Sequence, residues 1–418
     1  GPFMTLPMVI GMMNGPYFLY AWIAGAVLSF VDAMVWSELG AAFPKAGGSY
    51  NFLKEAYADK GAGGLMSFLF VWQTMIQAPL VIASASIGFA TYLSYLLPLS
   101  ALASKAVSGG VVILIVILLY RKIEDIGKIS VFLWAGVLFT LIWIIAGGLA
   151  HGHFTEPLQH MNDGLQLNYG FMAAMGFAGV KSIYSYLGYY NVCHLGAEIK
   201  NPHKNIPRSM FLSIAGIAIL YLAMNVSVTS VIPWQEAKDS QFVISLFMQR
   251  LAGNTAANIV TCLILWVAFA SVFSATLGYS RIPYAAAVDG AFFKVFAKLH
   301  PTRQFPHISL LVLGAVAFVF SLLFRLSDVI SAILAMRILV QFIGQSIGLL
   351  ILRKTRSSES FPYKMPFFPL PIYLAILLWL GILISTGYKM VLLGITVISL
   401  GIVVYYIKEK RISKNPMP

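Results

Sequence analysis

The sequence runs to 418 residues, 59% of them hydrophobic and only 10% charged, with a mean hydropathy of +0.83. That leaves too little polar material to cover a soluble globule of this size, so the main solvent must be lipid, and a soluble enzyme carrying one anchor is excluded. The formal charge of +13 would suit a nucleic-acid partner, but it means little until the basic residues are placed along the chain.

Taken in order, apolar runs near the roughly 20 residues that cross a hydrocarbon core recur along almost the whole length. Gly1 to Met13 is apolar but about half as long as a crossing requires, and reads as the second half of a helix. The sequence starts at Gly, so the natural N-terminus is expected to be missing, and no cleavable signal peptide is visible. Full spans are expected at Tyr17 to Phe43, Leu65 to Leu97, Gly109 to Tyr120, Ile129 to Gly148, Tyr169 to Leu195 and Met210 to Val231. Ala256 to Tyr279, Ile308 to Phe324, Val329 to Leu352, Phe367 to Thr386 and Val391 to Ile407 complete the set.

Two connections are longer. His151 to Gln166 carries His151, His153 and His160, whose spacing matches no standard metal set, and reads as a solvated loop. Ser280 to Pro306 lies on the other face and holds an amphipathic pattern around Ala291 to Leu299. Cys193 and Cys262 both fall in apolar spans and read as packed thiols.

Placed on these spans, 21 of the 28 Lys and Arg fall on one side, from Lys45, Lys54 and Lys60 through Arg121, Lys122 and Lys128 to Lys408, Lys410, Arg411 and Lys414. Five fall on the other (Lys105, Lys238, Arg250, Arg325, Lys389), and Lys181 and Arg337 lie within spans. This is the positive-inside signature of a multi-pass protein of the cell membrane with a cytoplasmic C-terminus, and it explains the charge without nucleic acid.

Two interruptions mark places where backbone must line a protein cavity, because lipid tolerates no unsatisfied peptide groups. One is Gly1-Pro2; the other is Ser185-Tyr186-Leu187-Gly188, at mid-span among aromatic residues. Half-helix ends exposed there attract a carboxylate with free N–H groups and an ammonium or cation with free carbonyls. The plainer alternative is that Gly188 only permits close helix packing.

Four stretches make a resemblance specific: Gly1-Pro2-Phe3; Trp36-Ser37-Glu38-Leu39-Gly40 through Pro44-Lys45-Ala46-Gly47-Gly48-Ser49-Tyr50; Gly196-Ala197-Glu198 through Asn201-Pro202 to Pro207-Arg208; and Ser280-Arg281 through Asp289-Gly290 to His300-Pro301. Their order and spacing resemble the amino acid/polyamine/organocation superfamily of permeases over nearly the whole chain.

The resemblance implies an all-α integral membrane fold of about twelve helices, a five-plus-five inverted repeat with broken helices one and six, and alternating access to a central site. Repeat one would span 1–150 and repeat two 165–352, with two peripheral helices over 365–407. It implies an amino acid as substrate, moved by proton or sodium coupling or by exchange, with no cofactor or metal and no catalytic residues.

By the same resemblance Gly1 and Pro2 belong to the first break, and Tyr184 stands where relatives place an aromatic that caps the substrate. Ser185 and Tyr186 lead into Leu187-Gly188, the unwound step. Tyr190 stands where relatives carry a polar or acidic residue. Polyamine carriers place acids in helices six and ten, where this chain has Tyr190 and Gln345, so a polyamine or organic-cation carrier is the weaker reading.

Charges inside a membrane cost roughly 2.5 to 3.5 kcal/mol each on insertion scales, which makes Lys181 and Arg337 coupling or gating candidates. Lys181 either answers a substrate or proton path or snorkels outward, and Arg337 is expected to reach the outer surface in a structural role. Gln341 joins this set. Gln73 and Gln77, four apart on one helix face, are expected to line a polar cavity. Ser271 and Ser274 stand where sodium-binding relatives place hydroxyls, unless they bond back to their own helix. Asp32 and Glu38 read as packing or gating residues near the cytoplasmic end of helix two, and His194 with Glu198 as a helix-face pair or a proton relay. A channel lacks a visible filter, and an enzyme lacks a nucleophile–base pair. A non-transporting nutrient receptor on the same fold stays open.

Overall fold

A computed structural model describes residues 1–45, 47–121, 126–194 and 196–414, the side chains of 126, 127, 198 and 411–414 excepted. Ala46, Lys122 and Leu195, and the side chains of Glu198, Arg411 and Lys414, therefore lie outside the described residues.

The chain is helical throughout the described residues. Helix α1 (Pro2–Met13) carries Pro2 in its first turn, where the missing N–H takes nothing from the helix, and stops at Asn14 in the left-handed conformation (φ 47°, ψ 43°). A 3-10 turn at Pro16–Phe18 leads into α2 (Leu19–Ala42), followed by the short α3 (Ser49–Ala56) and the 34-residue α4 (Gly63–Leu96).

Helix α5 (Ala101–Leu119) starts well before the span expected from Gly109, because Ser100 caps it by accepting the Ala103 N–H at 3.2 Å. Next come α6 (Ile126–His151), the single turn α7 (Glu156–Gln159), and α8 (Tyr169–Tyr186), capped by Asn168.

The sixth crossing does not continue past Tyr186 as an α-helix. Leu187 turns extended (φ −58°, ψ 142°), Gly188 takes φ +121°, and 3-10 turns follow at Tyr189–His194 and Gly196–Glu198. An L side chain rarely adopts that φ, so glycine is required at the break. The expected interruption is real.

Then follow α9 (Pro202–Thr229), the turn α10 (Trp234–Ala237), and α11 (Val243–Tyr279), kinked where Gly253 leaves helical geometry (φ 80°, ψ −176°). The regular helix of the next loop is α12 (Arg281–Val288). The amphipathic pattern around Ala291 to Leu299 falls on a 3-10 turn at Lys294–Ala297 rather than on an α-helix. Neighbouring Phe292 and Phe293 both meet the Phe68 ring, which adjacent residues of an α-helix do not do.

Helices α13 (His307–Leu323) and α14 (Leu326–Arg337) follow. The tenth crossing passes through a π-helical stretch, Ile338–Gly344, into α15 (Gln345–Thr355). Apolar periodicity gave no sign of it. The chain ends with α16 (Leu370–Ser385) and α17 (Tyr388–Lys414).

Eight helical stretches among the described residues are long and apolar enough to cross a membrane, and α1, α13 and α16 are shorter apolar helices. The protein is a multi-pass membrane protein. Its centre is built by α1 against α8, α2 against α8 and α9, and α4 against α11 and α14. Apolar residues such as Val131, Phe132, Phe139, Leu392 and Leu400 of α6 and α17 stay exposed, as lipid requires. The basic loops gather at one end, called here the basic end.

Candidate functional site

The two interrupted crossings meet. The Thr5 and Ser185 hydroxyls share a buried hydrogen bond of 2.8 Å, joining the first turns of α1 to the last turn of α8. Breaking helix six frees carbonyls in that turn, and the Tyr221 hydroxyl of α9 donates to the Ser185 carbonyl at 3.2 Å.

Beside this junction lies a cavity of about 100 Å³. One water needs roughly 10 to 15 Å³, so the space suits a small solute. Gly1, Phe3, Met4 and Thr5 form one wall, and Val81, Ser84, Ala85 and Gly88 of α4 another. Tyr184, residues Ile264 to Ser271 of α11, and Leu326 and Ile330 of α14 complete it. No charged side chain lines it. Tyr184 is held by a 2.7 Å hydrogen bond between its hydroxyl and that of Ser84.

Of the expected site residues, Gly1, Tyr184 and Ser271 reach the cavity wall. Pro2 and Ser185 stand next to it in sequence. Tyr186 instead packs edge-on against Trp22 and tilted against Tyr221, and Leu187 and Gly188 border a second cavity of about 280 Å³ beside α9.

Tyr190 turns away from the first cavity: its ring stacks on Trp36 at 4.7 Å between centroids. Gln73 and Gln77 are buried one to two turns nearer the basic end than the cavity and line neither space, contrary to expectation. Gln73 Oε1 and Gln77 Nε2 have no hydrogen-bond partner. Ser271 donates to the Val267 carbonyl of its own helix at 2.9 Å, and Ser274 is exposed, so these hydroxyls do not converge as a cation site requires.

Lys181, whose role the sequence left open, and Arg337, expected at the outer surface, are both internal. Lys181, 2% exposed, does not snorkel; its ammonium donates to the Ser327 carbonyl at 2.7 Å and to the Ser331 hydroxyl at 3.1 Å, tying α8 to α14. Arg337, 3% exposed, does not reach the outer surface. It donates to the Tyr279 hydroxyl and lies 5.5 Å over the Tyr190 ring, with its Nε unpartnered. Gln341, in the π-helical stretch, donates to Ser49 at 3.3 Å, and the Tyr57 hydroxyl donates to the Gly344 carbonyl at 2.7 Å.

Asp32 is fully buried in the middle of α2 rather than near its end, accepting from Tyr189 at 2.5 Å and from Trp379 Nε1 at 2.9 Å. Glu38 pairs with Arg353 of α15 and accepts the Met365 N–H at 2.8 Å, closing the basic end between α2, α15 and the following loop. The His194 carbonyl accepts the Gly47 N–H at 3.1 Å, and the side chain of its expected partner Glu198 lies outside the described residues. His160 meets Asp163 at 2.7 Å in an exposed loop.

Sequence reasoning missed Thr5, Ser84 and Tyr221. A lone hydroxyl in an apolar helix carries no spacing signal, and only tertiary contact reveals these three.

The chain is similar in sequence to known amino acid transporters. The chain is 24% identical to a branched-chain amino acid permease of Bacillus subtilis over 96% of its own length and 87% of the relative's. It is 25% identical to a serine/threonine exchanger of the same organism, over 94% and 89%. The Asc-type amino acid transporter 1 of Mus musculus is 26% identical, over 93% of this chain and 74% of the transporter. The family model described as amino acid permease matches residues 2–407, and the chain accordingly belongs to the amino acid permease family of the amino acid/polyamine/organocation superfamily.

Proposed function

We propose that the protein is a secondary transporter for small neutral amino acids, working by alternating access around the cavity where α1 meets α8. The observation that carries this reading is the wall of that cavity: hydroxyls from Thr5, Ser84 and Tyr184, and otherwise apolar side chains. A cationic side chain in such a wall would lose hydration without gaining a counter-ion, which disfavours polyamines. The relatives named for branched-chain and for serine/threonine substrates support a neutral side chain. The basic end is the cytoplasmic face of the cell membrane, on the strength of the charge asymmetry. The chain divides into the two repeats 1–150 and 165–352 followed by two helices.

Reconstituted protein, preloaded with unlabelled amino acid, is tested by counterflow of labelled alanine, serine, threonine and leucine. Saturable uptake, competed by neutral amino acids but not by putrescine, lysine or glutamate, is the expected result. Competition by putrescine overturns the neutral-substrate reading. Binding of an amino acid without counterflow moves the receptor reading ahead.

A further inference from the structure

Four charged side chains are buried among the described residues: Asp32, Glu38, Lys181 and Arg337. Glu38 has Arg353 as counter-ion, and Lys181 is held by a carbonyl and a hydroxyl of α14. Asp32 is the buried carboxylate with no cation beside it; its hydrogen-bond partners are a phenol and an indole. A carboxylate kept at membrane depth without a counter-ion is costly, and such groups mark ion or proton pathways.

Its setting links it to the moving parts of a broken-helix transporter. Tyr189, the donor at 2.5 Å, is the first residue of the 3-10 segment that follows the break, and Trp379 is on α16. Tyr189 also lines the second cavity, of about 280 Å³, together with Gly188, Ser209, Ser213 and Ile217. Ser209 is two turns into α9, which begins at the basic end, and it borders the cavity together with Tyr189. The space can hold water, since its lining includes two hydroxyls and a phenol.

We propose that Asp32 is the proton-binding group of the transport cycle, loaded from the basic end through the Tyr189 hydroxyl. The proposal rests on the transporter reading above. A hydronium in the cavity gives its proton to the Tyr189 oxygen as that oxygen passes its own proton to Asp32 Oδ2. Water is left in the cavity, the phenol is regenerated, and the carboxylate becomes a neutral acid. The bond between them then reverses, with Asp32 donating and Tyr189 accepting, which changes what holds the 3-10 segment to α2. Coupling needs such a change at the segment that must move.

The groups facing Asp32 from its neighbours are few. The 3-10 segment offers Tyr189, Tyr190 and, near its end, His194, which packs against Gly48. Helix α8 offers Lys181, already committed to α14. Helix α15 offers Arg353, committed to Glu38, and α16 offers the indole of Trp379. Arg337 lies over the Tyr190 ring and also interacts electrostatically with the Tyr189 phenol, so it is the cation nearest the relay. The packed core that α9 presents, Ile206, Met210 and Ile214, is apolar.

The test uses the full chain in proteoliposomes at zero membrane potential, with whichever of labelled alanine, serine, threonine or leucine gives the largest counterflow. An inward proton gradient is expected to stimulate wild-type net uptake at least fivefold, with proton entry seen by an internal pH dye. Asp32→Asn is expected to abolish the stimulation and the dye signal while keeping at least a third of the counterflow, and Asp32→Glu to restore both. Tyr189→Phe, which leaves the carboxylate in place, is expected to slow gradient-driven uptake about tenfold and counterflow far less. Stimulation that survives in Asp32→Asn overturns the proposal, as does a folded Asp32→Asn without counterflow, or Tyr189→Phe with undiminished gradient-driven uptake. Wild-type counterflow without a gradient response overturns it and leaves the transporter reading standing. Absence of wild-type counterflow overturns both.

Discussion

The two halves of the sixth crossing are held in different ways. The α8 half is regular helix, pinned to α14 by the Lys181 ammonium and to α2 by the Ser182 hydroxyl, which donates to the Ala21 carbonyl at 2.7 Å. The half after Gly188 is 3-10 helix, tied by the Tyr189 hydroxyl to Asp32 and by the Gly47 N–H to the His194 carbonyl, and otherwise held by aromatic faces, Tyr190 on Trp36 and Phe342. Directional bonds to backbone fix one arrangement, whereas rings can slide and restack at small cost. On this contrast α8 is expected to stay fixed while the 3-10 segment moves.

That contrast is sharpened most at the basic end, where the Glu38–Arg353 pair joins α2 to α15. Arg353→Ala leaves Glu38, fully buried, without its cation and is expected to destabilise the closed form by about 3 to 5 kcal/mol. Thermal unfolding in detergent should show it, and access of a thiol reagent to Cys193, now 1% exposed, should rise.

Lys181→Met attacks the fixed half directly. Loss of hydrogen bonds from a charged donor is expected to cost roughly 1.5 to 3 kcal/mol of stability. The pH dependence of uptake should stay as it is, because the ammonium faces α14 rather than either cavity. A changed pH profile with unchanged stability would assign Lys181 to the moving half instead.

At the joint, Gly188→Ala forces an L side chain to φ +121° and is expected to cost about 1 to 3 kcal/mol, read as lost counterflow at modestly reduced thermal stability. The mildest change, Tyr184→Phe, removes only the bond to Ser84. It is expected to weaken apparent substrate affinity by an amount near 1 kcal/mol, about fivefold in KM, without altering proton stimulation.

Most of the architecture could be read from the sequence because lipid imposes a simple rule: long apolar runs are helices, and a glycine among aromatics at mid-span marks a break. The rule fails where helices begin in polar residues, as at Ser100, and where backbone geometry changes without a change in hydropathy, as in the π-helical Ile338–Gly344. Tyr184 was reachable by counting from Asn201-Pro202. Asp32 was placed too near the helix end, because the motif around Glu38 draws attention to the loop. It actually lies ten residues before Ala42, about 15 Å at the rise of an α-helix. The surroundings of Arg337 were illegible for another reason: its aromatic neighbours come from α11 and the 3-10 segment, far apart in the chain.

Trp379 reaches from α16 into the centre, stacked on Phe342 at 4.0 Å with nearly parallel planes, while its indole N–H binds Asp32. A version of the chain cut after α15 would keep every residue of the first cavity and still lose a wall of the interior. Helix α16 is thus part of the packed interior, and shortened designs that end at α15 should carry a replacement for that single indole.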